Sequence, residues 1–311
     1  MKRNTLFSFL TVAALGLVTA GPASAGNDTY TWVGGAASGS ENDWDYNAGT
    51  KAAPDYANWN WNAAAGEPVT SLPNSGDTVV IPDRTHDPEI DSGASIVTFS
   101  TLNINTGGVL SIRADAVLNL DGTVAHDIDG DLVLSNSTAV VKFSASVDVD
   151  GDGKIVGQDN NAQVQVATNK VLTNRMSTVG IVGRMKIAGP GKLDNRGLVH
   201  ANGDGPLELG ENLLLDDTGG AVRWKAGDNI NAILFFRNEH TGGSKLDGDF
   251  AVASCSKLKF DATIETNGDF DTGAAAGFVD VDAANSVEFR YDCDAGGGCT
   301  VIDSDQTYGG C

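Results

Sequence analysis

From Asp77 onward, the chain is a succession of short segments in which apolar and polar residues alternate, each closed by glycine, asparagine or aspartate. Typical segments are Thr78–Ile81, Val109–Ile112 and Val117–Leu120. Alternation with a period of two, closed by turn residues, predicts β-strands joined by tight turns. Because no stretch of a dozen residues follows a helical period, we predict an all-β chain.

The spacing of these segments narrows the choice of architecture. A sandwich or barrel usually shows turn signals about every 8 to 12 residues, whereas many segments here are only three to five residues apart. Close spacing favours a parallel β-solenoid, in which each thin turn completes the core of its neighbours. A weak internal repeat agrees, because Gly151-Asp152-Gly153-Lys154-Ile155 is echoed by Gly189-Pro190-Gly191-Lys192-Leu193. We therefore predict that the alternating segments stack as a solenoid.

Composition divides the chain into four parts. We assign residues 1–25 to a signal peptide, 26–76 to an aromatic, loop-rich N-terminal cap, 77–290 to the solenoid and 291–311 to a Cys/Gly-rich C-terminal segment. The cap segment holds four of the five tryptophans and three of the five tyrosines. An open solenoid end is an unpaired strand edge, so a cover at each end is expected.

The N-terminal segment has the features of an export signal. Lys2 and Arg3 precede an apolar stretch over residues 6–18, and Ala23-Ser24-Ala25 supplies a small-x-small cleavage pattern. This arrangement predicts secretion with cleavage after Ala25, since the apolar stretch is shorter than the roughly 20 residues of a membrane span. We expect a secreted protein, extracellular or on the cell surface, with the periplasm as an alternative and no later membrane span.

All four cysteines lie near the C-terminal end of the chain, from Cys255 onward. An even number in an exported chain predicts disulfides. Cys293 and Cys299 flank a glycine-rich loop and are the first expected pair, which leaves Cys255 with Cys311. Four cysteines allow three connectivities, and both a zinc site and a bond between chains through Cys311 stay open.

The charge of the chain limits its partners. With 20 Lys and Arg against 41 Asp and Glu, the formal net charge is −21. A field of this sign repels phosphate, so we expect neither nucleic acid nor anionic lipid as a partner.

Two segments carry a family resemblance. Trp59-Asn60-Trp61, followed by Pro73-Asn74-Ser75-Gly76-Asp77-Thr78-Val79-Val80-Ile81-Pro82, resembles the opening of large bacterial cell-surface right-handed β-helix proteins, and also that of the G8-type β-domain. The run from Leu193 to Gly203 is similar to a coil of autotransporter-like surface proteins. The resemblance implies a right-handed parallel β-helix at the cell surface and says little about activity.

One acidic segment has the spacing of a calcium loop. Its aspartates at positions 1, 3, 5 and 12, with Gly153 at position 6, resemble an EF-hand or dockerin loop. The predicted Ca²⁺ ligands are Asp148, Asp150, Asp152 and Asp159. The alternative is a strand whose acidic side chains simply face solvent, because no helical pattern flanks the segment.

The aromatic segment allows two interpretations. Flat rings can stack on sugars, which would make Trp32, Trp44, Trp59 and Trp61 glycan-binding residues. Large aromatic side chains more often pack in a core, which would make the same residues part of the cap.

No catalytic motif emerges from the sequence. His86, His126, His200 and His240 are scattered without metal-ligand spacing, and neither a G-x-S-x-G motif nor a phosphate-binding loop is present. We expect a non-enzymatic surface or extracellular-matrix protein with a structural or adhesive role, stabilised by calcium and able to form fibres. Its expected partners are surface or matrix glycans or other copies of itself. The alternative is a glycan-binding or polysaccharide-degrading β-helix protein.

Overall fold

The computed structural model describes the greater part of the chain. The described residues are 28–34, 42–44, 58–61, 72–91, 96–210, 212–217, 221–227, 231–237, 244–253 and 256–261, together with the later strands at 264–266, 270–271, 278–281, 287–289 and 301–302. Every regular element within these ranges is a β-strand. The all-β prediction is therefore confirmed.

The strands are short and closely spaced. The first fifteen are β1 (Thr29–Trp32), β2 (Trp59–Trp61), β3 (Thr78–Ile81), β4 (Glu89–Ile90), β5 (Ile96–Phe99), β6 (Thr101–Ile104), β7 (Val109–Ile112), β8 (Val117–Leu120), β9 (His126–Ile128), β10 (Asp131–Leu134), β11 (Val140–Phe143), β12 (Val147–Asp150), β13 (Lys154–Val166), β14 (Val171–Asn174) and β15 (Gly180–Ala188). The others are β16 (Lys192–Asn195), β17 (Val199–Ala201), β18 (Gly205–Leu209), β19 (Leu214–Asp217), β20 (Val222–Ala226), β21 (Ala232–Phe236), β22 (Ser244–Leu246), β23 (Asp249–Val252), β24 (Lys257–Phe260), β25 (Ile264–Thr266), β26 (Phe270–Asp271), β27 (Phe278–Val281), β28 (Val287–Phe289) and β29 (Val301–Ile302).

These strands form three parallel stacks, which the chain visits in the same order on each turn. Sheet A is the series β1, β3, β6, β9, β12, β14, β16, β19, β22, β25 and β28. Sheet B runs from β4 through β7, β10, β17, β20 and β23 to β26, and sheet C from β5 through β8, β11, β18, β21 and β24 to β27. The long strands β13 and β15 belong to both B and C and join them. This is a parallel β-solenoid, as the spacing of the segments predicts.

The core is built from columns of apolar side chains, one from each turn. On sheet B, for example, Leu110, Leu132, Ile155, Ile181 and Val199 follow one another in register, and all are fully buried. Stacked strands lie about 4.8 Å apart, so each side chain contacts its equivalents above and below. Burying such a side chain contributes about 1.5 to 3 kcal/mol.

Glycine is required where turns approach each other at the corner between sheets A and B. A Cβ atom on Gly153 would lie 2.0 Å from the carbonyl oxygen of Gly130, and one on Gly130 would lie 2.2 Å from that of Gly108. No side chain fits such gaps without a backbone shift. The glycine punctuation of the sequence at this corner therefore reflects close packing of successive turns.

Sheet A ends on each side with an antiparallel strand. β2 pairs antiparallel with β1, and β29 pairs antiparallel with β28. At the N-terminal end, the ring of Trp59 meets those of Trp44 and Trp32 edge-on, with centroids 4.5 and 5.0 Å apart. Trp44 in turn stacks on Phe99 at 5.8 Å. These rings cover the first turns of the core.

Several sequence predictions lie outside the described residues. They include the signal peptide with its cleavage site and the four cysteines Cys255, Cys293, Cys299 and Cys311. Within the described ranges, no helix is long and apolar enough to cross a membrane.

Candidate functional site: an acidic corner of the solenoid

The four predicted calcium ligands lie on different parts of one turn. Asp148 and Asp150 point outward from β12, where they alternate with the buried Val147 and Val149. Asp152 follows in the turn that leads to sheet B, and Asp159 lies farther on, within β13. The first three therefore occupy one strand and its corner, whereas Asp159 is separated from them by the sheet B portion of β13.

The carboxylates of this segment already have protein partners. Asp148 accepts a hydrogen bond from Arg175 Nε at 2.7 Å, and the same nitrogen lies 3.9 Å from Asp150. Asp152 accepts from the hydroxyl of Thr178 at 3.3 Å, and Asp159 accepts from the backbone of Asn161 at 2.9 Å. In the described part of the chain, no group of three or more His, Cys, Asp or Glu side chains is arranged to hold a metal ion. Calcium binding by these four residues stays a prediction.

The preceding turn adds more carboxylates at the same corner. Asp127 lies beside Asp150 in the parallel register, and Asp129 accepts a hydrogen bond from the backbone of Asp152 at 3.1 Å. Asp131 pairs in register with Lys154 and lies 3.3 Å from its ammonium group. We call this surface the acidic corner; its residues are Asp127, Asp129, Asp131, Asp150 and Asp152.

The carboxylates of the acidic corner repel one another. Partial burial raises the pKa of Asp127, and the nearby charges of Asp129 and Asp150 raise it further. Each added negative charge therefore costs free energy at this corner, and a cation or a cationic partner would relieve that cost.

The sequence analysis did not identify the first turn of the acidic corner. A signal was present, because the aspartates of Asp127-Ile128-Asp129-Gly130 recur at the same spacing in Asp150-Gly151-Asp152-Gly153. The offset between these two copies is one turn of the solenoid, as the pairing of Asp127 with Asp150 shows. A search for repeats at that offset would thus have identified the neighbours.

Farther along sheet A, Asp194 and Asp216 are each paired with a cation. Arg196 binds Asp194 through Nε at 3.0 Å and Nη2 at 2.8 Å, and Lys192 pairs with Asp216. Ion pairs that are partly open to solvent contribute little stability, about 0.2 to 1 kcal/mol each. They do neutralise the carboxylates of Asp194 and Asp216.

A polar column also runs inside the solenoid. Asn174, Asn195 and Asp217 occupy equivalent register positions at the ends of β14, β16 and β19, and all are buried. Asn174 Nδ2 donates to Asn195 Oδ1 at 2.8 Å and to the carbonyl oxygen of Leu198 at 3.1 Å. Asn195 Nδ2 donates to the carbonyl oxygen of Arg223 at 3.0 Å. These side chains satisfy backbone groups where the chain turns from sheet A to sheet B.

Asp217 is the acid of this column. Its Oδ2 accepts from the indole Nε1 of Trp224 at 2.5 Å. Its Oδ1 accepts from the backbone N–H of Gly248 at 3.0 Å and from that of Asp247. Burial raises its pKa, and these three donors oppose that rise. Asp217 therefore links one turn to the next through buried hydrogen bonds, and its side chain is not part of the outer surface.

His126 lies in line with this column, two turns before Asn174, with Val149 between them. It lies in register between Leu102 and Val149 and is fully buried. Its Nδ1 accepts from the backbone N–H of Leu102 at 3.2 Å, whereas Nε2 has no hydrogen-bond partner among the described residues. Because burial penalises the charged ring, the pKa of His126 is lowered to about 4.

Acid should destabilise the protein through His126. Its folded-state pKa of about 4 is below the ordinary 6.5, so the unfolded state binds the proton first. Its stabilising contribution is complete above about pH 6.5 and is lost as the pH falls to 4, by about 3 kcal/mol in total. We expect His126→Leu to remove this loss from urea-unfolding free energies measured between pH 7 and pH 4.

The two proteins are compared by how steeply the free energy of unfolding falls as the pH is lowered from 7 to 4. The aspartates with raised pKa values titrate in both proteins and cancel in the difference. His126→Leu leaves the N–H of Leu102 without its acceptor, so the variant should be less stable at pH 7 but less sensitive to acid. Parallel pH profiles would contradict the assignment.

The tryptophans proposed to bind glycans are packed inside the N-terminal end. Trp32, Trp44 and Trp59 are only 0, 1 and 4% exposed. Two of their indole nitrogens donate to backbone oxygens, that of Trp32 to His86 at 2.6 Å and that of Trp59 to Trp44 at 3.0 Å. None of the three offers an open ring face to a sugar, and the side chain of Trp61 lies outside the described residues. Glycan binding by these tryptophans stays a prediction.

An open groove of about 550 Å³ runs along the outer face of sheet B near its junction with sheet C. Polar side chains from three successive turns line it: Ser111, Arg113, Ser135, Asn136 and Gln158. Arg113 is held by an ion pair with Glu89. Sequence reasoning did not identify this groove, because its lining residues are about one turn apart in the chain.

By its fold, the protein belongs to the class of all-β parallel solenoids. Its candidate site is the acidic corner. Comparison with protein-family models, curated proteins and solved structures found no match to this chain. The functional argument therefore rests on the residues themselves.

Proposed function

We propose that this protein is a non-enzymatic structural component of the cell surface or extracellular matrix, with calcium as a bridging ion. The observation that carries the proposal is the acidic corner, where carboxylates of successive turns repeat on a stacked scaffold. The proposal also draws on the predicted export signal and on the net charge of −21.

The scaffold suits a structural role. In the interior of sheets A, B and C, each strand is hydrogen-bonded to strands of the turns before and after it. Continuous buried columns hold the turns in register. A solenoid of this kind presents surface groups at fixed intervals of about 4.8 Å, which is a suitable support for repeated weak contacts.

Calcium fits the chemistry of the acidic corner. Ca²⁺ prefers several hard oxygen ligands and tolerates irregular geometry, unlike Mg²⁺. Asp127 and Asp152 are exposed there, and the pKa of Asp127 is raised in part by its acidic neighbours. A calcium ion shared with a second acidic surface would reduce this repulsion and join the two surfaces.

The localisation of the native protein tests the proposal. We expect it in the cell-surface or matrix fraction, and we expect EDTA to release most of it into solution. Purified mature protein should give binding heat on calorimetric titration with CaCl₂ at millimolar concentration. Asp127→Asn with Asp150→Asn should reduce that heat at least tenfold.

The matched control is Asp194→Asn, because Asp194 is already neutralised by Arg196. Its calcium titration should resemble that of the wild-type protein. A protein found only as a freely diffusing species, with no calcium heat, would refute the proposed function.

A further inference from the structure

The groove on the outer face of sheet B presents polar groups at regular intervals. Arg113, Ser135 and Gln158 directly follow the residues at which the mutual pairing of β7, β10 and β13 ends. Each therefore lies one turn from the next, about 4.8 Å along the solenoid. All three line the groove, which has a volume of about 550 Å³. Its polar groups thus repeat along the solenoid axis at the spacing of stacked strands.

Three polar side chains of the groove have hydrogen-bonding groups available. Within the described residues, the hydroxyl group of Ser111, the Nδ2 group of Asn136 and the side-chain amide of Gln158 make no hydrogen bond to the protein. Only the Oδ1 atom of Asn136 is engaged, since it accepts from the hydroxyl of Ser137 at 3.1 Å. Asn136 and Gln158 are also exposed. These groups can bind a ligand without giving up a contact with the protein.

The charges around the groove are balanced, although the protein as a whole carries a net charge of −21. The guanidinium group of Arg113 pairs with Glu89. On the neighbouring strands, Lys154 lies 3.3 Å from Asp131. An acidic polymer would be repelled by the net charge of the protein, and the paired cations would do little to offset that repulsion. The groove therefore favours an uncharged ligand.

The groove offers no strand edge to a peptide. β7 pairs with β4 and β10, and β10 pairs with β7 and β13, so the strands beneath the groove are hydrogen-bonded on both sides. An extended peptide cannot add to them as a further strand. The apolar part of the lining is small and aliphatic, and consists of Val109, Ala114 and Val133. A narrow aliphatic floor with polar sides suits a ligand that has C–H groups on its faces and hydroxyl groups along its edges.

We propose that this groove binds a neutral polysaccharide whose chain lies extended along the solenoid axis. In a β-1,4-linked chain, successive sugar residues repeat at a distance close to the spacing of stacked strands, about 4.8 Å. Their hydroxyl groups can therefore meet Ser111, Ser135 and Gln158 on successive turns, while their C–H faces lie over Val109 and Val133. The inference goes beyond the proposed function, because it gives the protein a second ligand that is bound without calcium.

The size of the groove sets the expected affinity. Its lining spans three turns, or two strand spacings of together about 10 Å, which accommodates about two or three sugar residues. Each hydrogen bond between uncharged groups changes the affinity by about two- to tenfold. A few such bonds in an open groove correspond to a dissociation constant of about 0.1 to 1 mM per site.

Affinity electrophoresis in native gels tests the proposal on the purified mature protein. The net charge of −21 drives the protein into the gel, and EDTA in the buffer removes calcium. We expect glucomannan and hydroxyethylcellulose, both neutral and β-1,4-linked, to retard the protein. We expect no retardation by dextran, whose α-linked chain is not extended, or by polygalacturonate, which is acidic.

Two variants locate the binding site in the groove. Asn136→Ala with Gln158→Ala removes two amides that can contact the ligand and should weaken binding of glucomannan by about tenfold. Ser111→Leu removes a hydroxyl group and fills part of the groove, and should abolish the retardation. Circular dichroism and thermal unfolding verify that both variants fold.

The matched control removes two amides from outside the groove. Asn105 lies in the turn before β7, and Gln165 faces outward on sheet C. Asn105→Ala with Gln165→Ala should bind glucomannan as the wild-type protein does. The calcium-site variant Asp127→Asn with Asp150→Asn should also keep this binding, because the acidic corner lies between sheets A and B.

The outcomes are distinguishable from those of the proposed function. A protein that neither neutral polymer retards overturns the groove inference, and leaves surface localisation and calcium binding unaffected. Retardation by polygalacturonate alone, or by dextran as strongly as by glucomannan, also overturns it, because the ligand would then be acidic or not extended. Equal retardation of the wild-type protein and the groove variants would place the binding site elsewhere and overturn it as well.

Discussion

Replacing Asp217 by alanine is expected to lower the free energy of unfolding by about 3 to 5 kcal/mol. The substitution removes the acceptor for Trp224 Nε1 and for the N–H groups of Asp247 and Gly248. Each buried donor left without a partner costs about 1 to 3 kcal/mol. Urea unfolding followed by circular dichroism at pH 7 measures the loss.

The neighbouring acid provides the matched control. Asp216 is adjacent in sequence, but its side chain is 44% exposed and pairs with Lys192 at the surface. Asp216→Ala also removes the acceptor for the N–H of Asp217, at 3.0 Å, and should cost about 1 to 2 kcal/mol. Asp217→Asn should fall between the two. Its remaining oxygen can still accept from one set of donors, whereas its Nδ2 would place a donor opposite the indole N–H or the backbone N–H groups. Equal losses for Asp216→Ala and Asp217→Ala would contradict the role assigned to Asp217.

Replacing Trp59 by alanine is expected to cost about 3 to 5 kcal/mol and to open the N-terminal end of the solenoid. The ring of Trp59 meets those of Tyr30, Trp32 and Trp44, and its indole nitrogen donates to the carbonyl oxygen of Trp44. Without the ring of Trp59, the aromatic side chains that cover the first turns lose their shared contact. The exposed strand edges should then promote aggregation.

Thermal unfolding combined with light scattering measures both effects. We expect a lower melting temperature and scattering that begins at lower protein concentration than in the wild-type protein. Val124→Ala is the control, because Val124 is 64% exposed and its loss should change neither quantity. A Trp59→Ala protein with wild-type stability would show that this ring does not hold the end of the solenoid closed.

The positions of Asp217 and His126 in the structure could not be predicted from the sequence. Asp216 and Asp217 read as one acidic pair in the sequence, yet one faces solvent and the other is 5% exposed. His126 gave no signal of burial, because the segment around it is strongly acidic. In both cases the environment of the side chain depends on where the turn places it, and a shift of one residue along a strand exchanges the two faces.

For the acidic segment at residues 148–159, by contrast, the sequence allowed two conformations, a calcium loop and a strand. Its spacing fits a calcium loop, but the local preference for alternation is satisfied by a strand, with Val147 and Val149 directed inward. The core on sheet A favours that arrangement, because Val147 lies in register with the buried Leu172, and Val149 lies in register between the buried His126 and Asn174. A motif defined by spacing alone does not contain this tertiary contribution.

The sequence by itself determined that this chain is all-β and that its strands stack as a parallel solenoid. Both follow from short-range properties, namely the period of two and the short distances between turn residues. Only the tertiary structure decided which side chains become neighbours, such as Asp127 and Asp150, or Glu208 and Arg237. Turns here differ in length, since the step along the chain from Asp127 to its partner Asp150 is longer than the step from Asn174 to its partner Asn195. Contacts between turns, and the surfaces built from them, therefore depend on a register that hydrogen bonding and core packing fix together.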